Sequence, residues 1–245
     1  MIGRRTLLAV LLLALRAIPS HAADSGTAAR ASSAPVTRVL FIGNSYTYVN
    51  GGLDAQVHAF DPSIVTTRLA NAGYTLEQHA SDAHELAAIQ EGGFTHVVLQ
   101  EQSQFPVAQR ERFRRAAAKL DAEIKRAGAK TVLLMTWERP DSLRMDVTAG
   151  NVAASYTALG QELGVPVAPA GRAFMRSRRE RPDLALYQED GHPTVAGTYL
   201  AAAVIYRTLT GHAPPSDGAS APGSASISPE DRAFLSRIAS EATSH

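Results

Sequence analysis

Five short apolar runs, each followed by a stretch with helical periodicity or a long loop, constrain this chain more than any other feature. The runs are RVLFIGN (38–44), IVTTRLANAG (64–73), THVVLQ (95–100), KTVLLMTW (130–137) and VPVAPAG (165–171). Each is the length of a strand bounded by turn or helix signals. Between and after them lie GLDAQVHAF (52–60), SDAHELAAIQEGG (81–93), VAQRERFRRAAAKLDAEIKRAGA (107–129), TAGNVAASYTALGQELG (148–164) and TVAGTYLAAAVIYRTLTG (194–211), which read as helices. Strands alternating with helices predict a parallel sheet with helices on both faces, because right-handed crossovers place them there. The expected fold class is therefore α/β, a three-layer α/β/α sandwich around a five-stranded parallel sheet. With 45% hydrophobic and 19% charged residues among 245, a single domain can bury a real core.

The two ends read differently. Residues 1–22 give arginines at 4 and 5, an apolar run from Leu7 to Leu15, and a small-residue site ending at Ala22 or Ala23. This is the pattern of a cleaved signal peptide, and the run is too short to span a bilayer. Residues 23–37 are small and polar, a disordered leader, so the domain is expected over 38–245. Near its end, 213–229 reads as a flexible loop and 230–245 as a terminal helix, with Ser228 as cap and Pro229 in the first turn. The expected location is periplasmic or secreted. There is no cysteine to form a disulfide or carry a lipid. Removing 1–22 takes away Arg4, Arg5 and Arg16 and no acid, so 24 basic side chains become 21 against 23 acidic ones. That balance argues against a nucleic-acid or anionic-membrane partner, and the short apolar run against stable membrane insertion. The arginine cluster from Arg176 to Pro182 reads as a solvated helix end.

In an open parallel sheet, sites form at the carboxyl ends of strands. Ser45, Gly73, Gln100 and Trp137 all follow strand ends. No G-x-S-x-G, G-x-G-x-x-G or Walker pattern is present, and His79 and His84, five apart, have poor ligand spacing for a metal. What remains is GNSYT (43–47) and EDGHPTVAGTYL (189–200). A serine at a strand-to-helix junction has free amides around it, suited to an oxyanion. Read alone it is more often a helix cap than a nucleophile, as His192 read alone is more often a loop hydrogen-bonder than a base. A histidine can take its proton if a carboxylate orients the ring. Asp190 and Glu189 both stand close before His192.

Together these blocks resemble the SGNH/GDSL hydrolase family, from about Arg38 to Gly211. VLFIGNSYT matches its first block, NAGYTLEQH looks like its glycine block, and HVVLQEQSQ, LLMTWERP and EDGHPTVAGTYLAA look like a branch with Gln and Trp at these places. The resemblance implies a flavodoxin-like sheet, Ser45 as nucleophile, His192 as base and Asp190 as its orienter. It also implies an oxyanion hole from the N–H groups of Ser45 and Gly73. The family's third donor is an Asn in G-x-N-D, which is LQEQS here, so Gln100 or Gln102 supplies the amide. The family's D-x-x-H spacing falls on Glu189, while Asp190 is only two residues before His192. Trp137 and Tyr74 are placed where an aromatic wall could receive an acyl chain or sugar face, though Trp137, the only tryptophan, is equally placed for core packing. The implied activity is hydrolysis of a small acyl ester, such as acetyl on a carbohydrate, with no cofactor or metal. An acyltransferase on the same site, or a non-catalytic carbohydrate- or acyl-binding module on the same fold, are the rivals.

Overall fold

The computed structural model describes residues 36–215 and 222–243. The expected signal peptide and nearly all of the leader fall outside them. Strand β1 (Arg38–Gly43) runs into a one-turn helix α1 (Ser45–Tyr48) and then α2 (Leu53–Phe60). There follow β2 (Val65–Ala70), α3 (Leu76–His79), α4 (Ala83–Glu91), β3 (His96–Leu99), α5 (Phe105–Ala108), α6 (Arg110–Arg126) and β4 (Lys130–Leu134). The chain continues as α7 (Ala149–Leu163), β5 (Val167–Ala168), α8 (Ala170–Glu180), α9 (Val195–Thr210) and α10 (Pro229–Ala242). All strand pairs are parallel, in the order β2-β1-β3-β4-β5.

Period-two alternation decides which helices each strand meets. Val39 and Phe41 of β1, Val98 of β3, and Val132 and Leu134 of β4 face α2, α8, α9 and α10. Leu40, Ile42, Val97, Leu99 and Leu133 face α4, α6 and α7. Both faces are thus covered, which is why β1, β3 and β4 read as nearly continuous apolar runs. The edge strand β2 carries Thr66, Thr67 and Arg68 and stays partly exposed. Helix α9 is buried without a break from Ala196 to Tyr206. Its Gly197 is a packing residue, since a Cβ there would lie 1.9 Å from the Leu186 carbonyl oxygen.

Two expectations need correction. Residues 169–171 do not prolong the last strand: β5 is two residues long, and α8 begins at Ala170. Pro169 cannot donate to a ladder, so the strand stops before it. The segment 222–228 is packed rather than loose, with Ile227 only 5% exposed and Gln56 Nε2 donating to the Pro222 carbonyl. The cap at Ser228 forms as expected, its hydroxyl accepting from Asp231 N. Among the described residues no helix is long and apolar enough to cross a membrane.

Candidate active site

The carboxyl end of β1 settles what Ser45 does locally. The cap of α1 is Asn44, whose Oδ1 accepts from Tyr46 N at 3.2 Å. Ser45 is therefore not needed as a cap, and its Oγ lies 2.8 Å from His192 Nε2. His192 sits in a tight turn in which Gln188 N donates to His192 O and Gly191 N to Gln188 O. Asp190 Oδ1 accepts from His192 N at 3.0 Å, and Asp190 Oδ2 lies 2.9 Å from His192 Nδ1. One short carboxylate thus holds both the backbone and the ring of a residue only two positions away.

Gly191 makes this possible, with φ at +84°. A Cβ there would also fall 2.5 Å from Arg139 Cγ and 2.7 Å from the Tyr46 hydroxyl. The donors from His192 hold the Asp190 carboxyl below its ordinary value, so it is an ionised acceptor. Its ring partner Nδ1 must then carry a hydrogen, which in the neutral imidazole leaves Nε2 as the acceptor for the serine proton. Glu189 is exposed and makes no hydrogen bond among the described residues.

Ser45, Gly73 and Gln102 line a cavity of about 360 Å³ together with Tyr48, Arg139 and His192. No acceptor among the described residues takes the N–H of Ser45 or of Gly73. Gln102 Oε1 accepts from Gln104 N at 2.8 Å and Phe105 N at 3.2 Å, which leaves its Nε2 as an amide donor at the cavity. Gln100 is different. Its Oε1 accepts from Asn44 N at 2.9 Å and Thr47 Oγ1 at 2.8 Å, and its Nε2 donates to Glu101 O at 2.6 Å. The amide cannot be turned over, because the Asn44 N–H requires an acceptor. Gln100 is therefore removed as an oxyanion donor; it braces the end of β1 instead.

The aromatic wall is also corrected. Trp137 is 2% exposed, stacked between Tyr46 (4.9 Å) and Phe174 (4.1 Å), and its Nε1 donates to Gly191 O at 3.0 Å. It anchors the His192 turn from the core side. Tyr74 packs on buried His79 at 5.2 Å and does not line the cavity. The aromatic residues that do line it are Tyr46 and Tyr48. Tyr46 sets its ring edge-on to His192 at 5.3 Å, and burial pushes its hydroxyl up to about 12, so it stays neutral. Arg139, absent from the sequence reading, reaches the cavity with Nε and Nη2 on Asp141 and Nη1 3.3 Å from Ser103 Oγ. Its place two residues past the end of the apolar run 130–137, in the same rim as Trp137, was the available signal.

Other candidates fall away from this rim. His84 is exposed while His79 is buried, and among the described residues no three His, Cys, Asp or Glu converge to hold a metal ion. A larger cavity, about 380 Å³, lies against α7, α8 and α10 and holds Arg172, Arg176 and Arg179 but no nucleophile and base together. In the arginine cluster, Arg176 pairs with Glu180 and Glu241, and Arg181 with Asp183 and Asp231, as a solvated helix end would.

Among solved structures, a provisionally assigned SGNH hydrolase from Slackia heliotrinireducens superposes with a TM-score of 0.64 at 26% identity, covering 71% of this chain and 99% of that one. The chain is similar to SGNH/GDSL hydrolases in fold and in the order of its site blocks. A lipase/acylhydrolase from Enterococcus faecalis (TM-score 0.54, 16% identity, 71% and 96% covered) shares the fold. So does a catalytic mutant of Axe2, an acetylxylan esterase from Geobacillus stearothermophilus (0.51, 16%, 71% and 94%). No protein-family model and no curated protein matches the sequence. The fold is thus that of SGNH/GDSL ester hydrolases.

Proposed function

We propose that the chain is a serine esterase in which Ser45 is the nucleophile, His192 the general base and Asp190 its orienter. The observation that carries this is the continuous chain of hydrogen bonds Ser45 Oγ, His192 Nε2, His192 Nδ1, Asp190 Oδ2, with gaps of 2.8 and 2.9 Å. In this reading Ser45 Oγ attacks the ester carbonyl carbon while its proton passes to His192 Nε2. Asp190 stabilises the imidazolium through Nδ1–H. The carbonyl oxygen becomes an oxyanion held by the N–H of Ser45, the N–H of Gly73 and the Nε2 of Gln102. Collapse expels the alcohol, which takes the proton from His192 and leaves acyl-Ser45. Water then repeats the sequence and releases the acid.

A small acyl group fits this reading. The cavity is modest, its rim carries tyrosines that suit a sugar face, and an acetylxylan esterase shares the fold. The substrate class is therefore acetyl or a similarly short acyl group on a carbohydrate or other small alcohol. Export follows in the same proposal from the first 22 residues. N-terminal sequencing of the exported protein should begin after Ala22 or Ala23, and a retained Met1 would refute export by cleavage.

The decisive assay compares p-nitrophenyl acetate with the butyrate ester, wild type beside Ser45→Ala. The wild type should turn over acetate faster, and Ser45→Ala should lose several orders of magnitude in kcat while keeping its melting temperature. A Ser45→Ala protein with most of its activity would overturn the assignment.

A further inference from the structure

A second histidine–carboxylate pair lies directly behind the proposed oxyanion hole, and no step of the reaction above uses it. His79 is fully buried, with Nδ1 2.5 Å from Glu85 Oε2 and Nε2 2.9 Å from the Gly43 carbonyl oxygen. A carbonyl only accepts, so Nε2 carries a hydrogen. The short contact to Glu85 then shares a single proton. The pair is net neutral wherever that proton sits, which makes its burial tolerable.

The Gly43 carbonyl is held twice, since Asn71 N also donates to it at 3.2 Å. The amide at the other end of the same peptide unit, Asn44 N–H, donates to Gln100 Oε1. The unit is therefore clamped at both ends, and the next amide along the chain is the N–H of Ser45. Asn71 opens the loop that carries Gly73, and Asn44 Nδ2 closes on that loop at Tyr74 O. Glu85 Oε1 touches Asn71 Nδ2 at 3.5 Å. His79 and Glu85 thus join the two backbone segments that present the Ser45 and Gly73 amides.

We infer that His79, held by Glu85, is a positioning residue for oxyanion stabilisation: its Nε2–H on Gly43 O fixes the peptide preceding the Ser45 amide and its spacing from the Gly73 loop. This rests on the esterase reading above. The imidazole acts as a fixed donor and moves no proton, so a neutral donor of equal reach should replace it. A Gln side chain places its Nε2 near the His Nε2 position, whereas Asn is one methylene too short.

The test measures kcat and KM for p-nitrophenyl acetate, and inhibition by a trifluoromethyl ketone whose serine adduct carries an oxyanion, for wild type, His79→Leu, His79→Gln, His79→Asn and Ser45→Ala. For His79→Leu, kcat should fall about 10- to 100-fold, less than the roughly 10²–10³ for loss of a direct donor. KM should stay within about twofold, as expected for a loss confined to the transition state. Ketone affinity should weaken by the same factor as kcat, and His79→Gln should recover most of both. A folded His79→Leu with wild-type kcat and ketone affinity overturns the inference, as does a loss in which KM rises in step and Gln fails to rescue. If His79→Leu does not fold, His79→Gln against His79→Asn decides: Gln should outpace Asn about tenfold, and equal rates overturn it. Ser45→Ala separates the two failures. If it is active, the esterase reading falls and this inference with it; if it is dead while His79→Leu is unimpaired, only the positioning role falls.

Discussion

Among the described residues, two histidine–carboxylate pairs lie within one rim of the sheet, and their contrast is instructive. In the first, His192 is about one-third exposed and Asp190 about two-thirds, and the free ring nitrogen faces a serine hydroxyl. In the second, His79 and Glu85 are sealed from water and the free ring nitrogen faces a carbonyl. A hydroxyl can give up a proton and a carbonyl cannot. An imidazole paired with a carboxylate therefore makes a candidate base in one place and a fixed strut in the other. Solvent access sharpens the difference: the open pair can change charge during a reaction, while the closed pair would have to leave a charge in the core.

The contrast can be broken first at His192. His192→Ala should cost about 10⁴-fold or more in kcat and shift stability by less than about 1 kcal/mol, as surface substitutions do. Removing the partner instead, Asp190→Asn should cost about 10²-fold, short of the 10⁴ known for a buried orienting aspartate, because water can stand in beside an open one. Glu189→Gln should be silent in the same kinetic assay. A crippled Glu189→Gln beside a normal Asp190→Asn would reverse their roles. The sealed pair should answer in stability: Glu85→Ala should lower the unfolding free energy by about 3–5 kcal/mol in urea titration, since His79 would be left buried without its acid.

Another buried acid, Glu101, extends the comparison. Glu101 Oε1 accepts from Leu76 N at 3.1 Å and Gln102 N at 2.7 Å, tying the α3 segment to the residue that offers the side-chain amide. Burial, opposed by those two amides, pushes its carboxyl up to about 7 from an ordinary 4.5. Between these values the folded chain keeps a proton that the unfolded chain has lost, so stability falls as pH rises from about 4.5 to about 7 and is then level. Glu101→Gln keeps an acceptor for both amides and removes this slope. It should gain up to about 3 kcal/mol at pH 8 and nothing near pH 4. Equal pH dependence in both proteins would show that Glu101 is not held neutral.

The smallest effect is expected behind the His192 turn. Trp137→Phe keeps the stack on Phe174 but loses the bond to Gly191 O, which should cost about 1 kcal/mol of stability and a few-fold in kcat. Unchanged kcat would mean that the turn holds its shape without the indole.

Much of this was legible beforehand because it rests on local rules. The strands follow from unbroken apolar runs, and Ser45, Gly73 and His192 lie at strand ends or in one stiff loop. The failures share a cause, since each depends on where a side chain turns after its strand has ended. Gln100 and Gln102 look alike in sequence, yet one faces the buried Asn44 amide and the other caps α5 at the cavity. Trp137 follows the β4 run as a rim residue would, but Phe174 of α8 and Tyr46 take its two faces. Helix α8 was missed as a separate element, so its packing could not be foreseen. Pairs such as His79 and Glu85 depend on a chain reversal between α3 and α4, and no spacing rule reports that a histidine is sealed.

The most direct measurement is peptide mapping by mass spectrometry after treatment with a fluorophosphonate, which phosphonylates an activated serine and then stays bound. One equivalent should be found on the peptide containing Ser45, with labelling strongly slowed in His192→Ala and of near wild-type yield in Glu189→Gln. Labelling at another serine, or none at Ser45 in a folded and intact protein, would contradict the assignment of Ser45 and His192 as nucleophile and base.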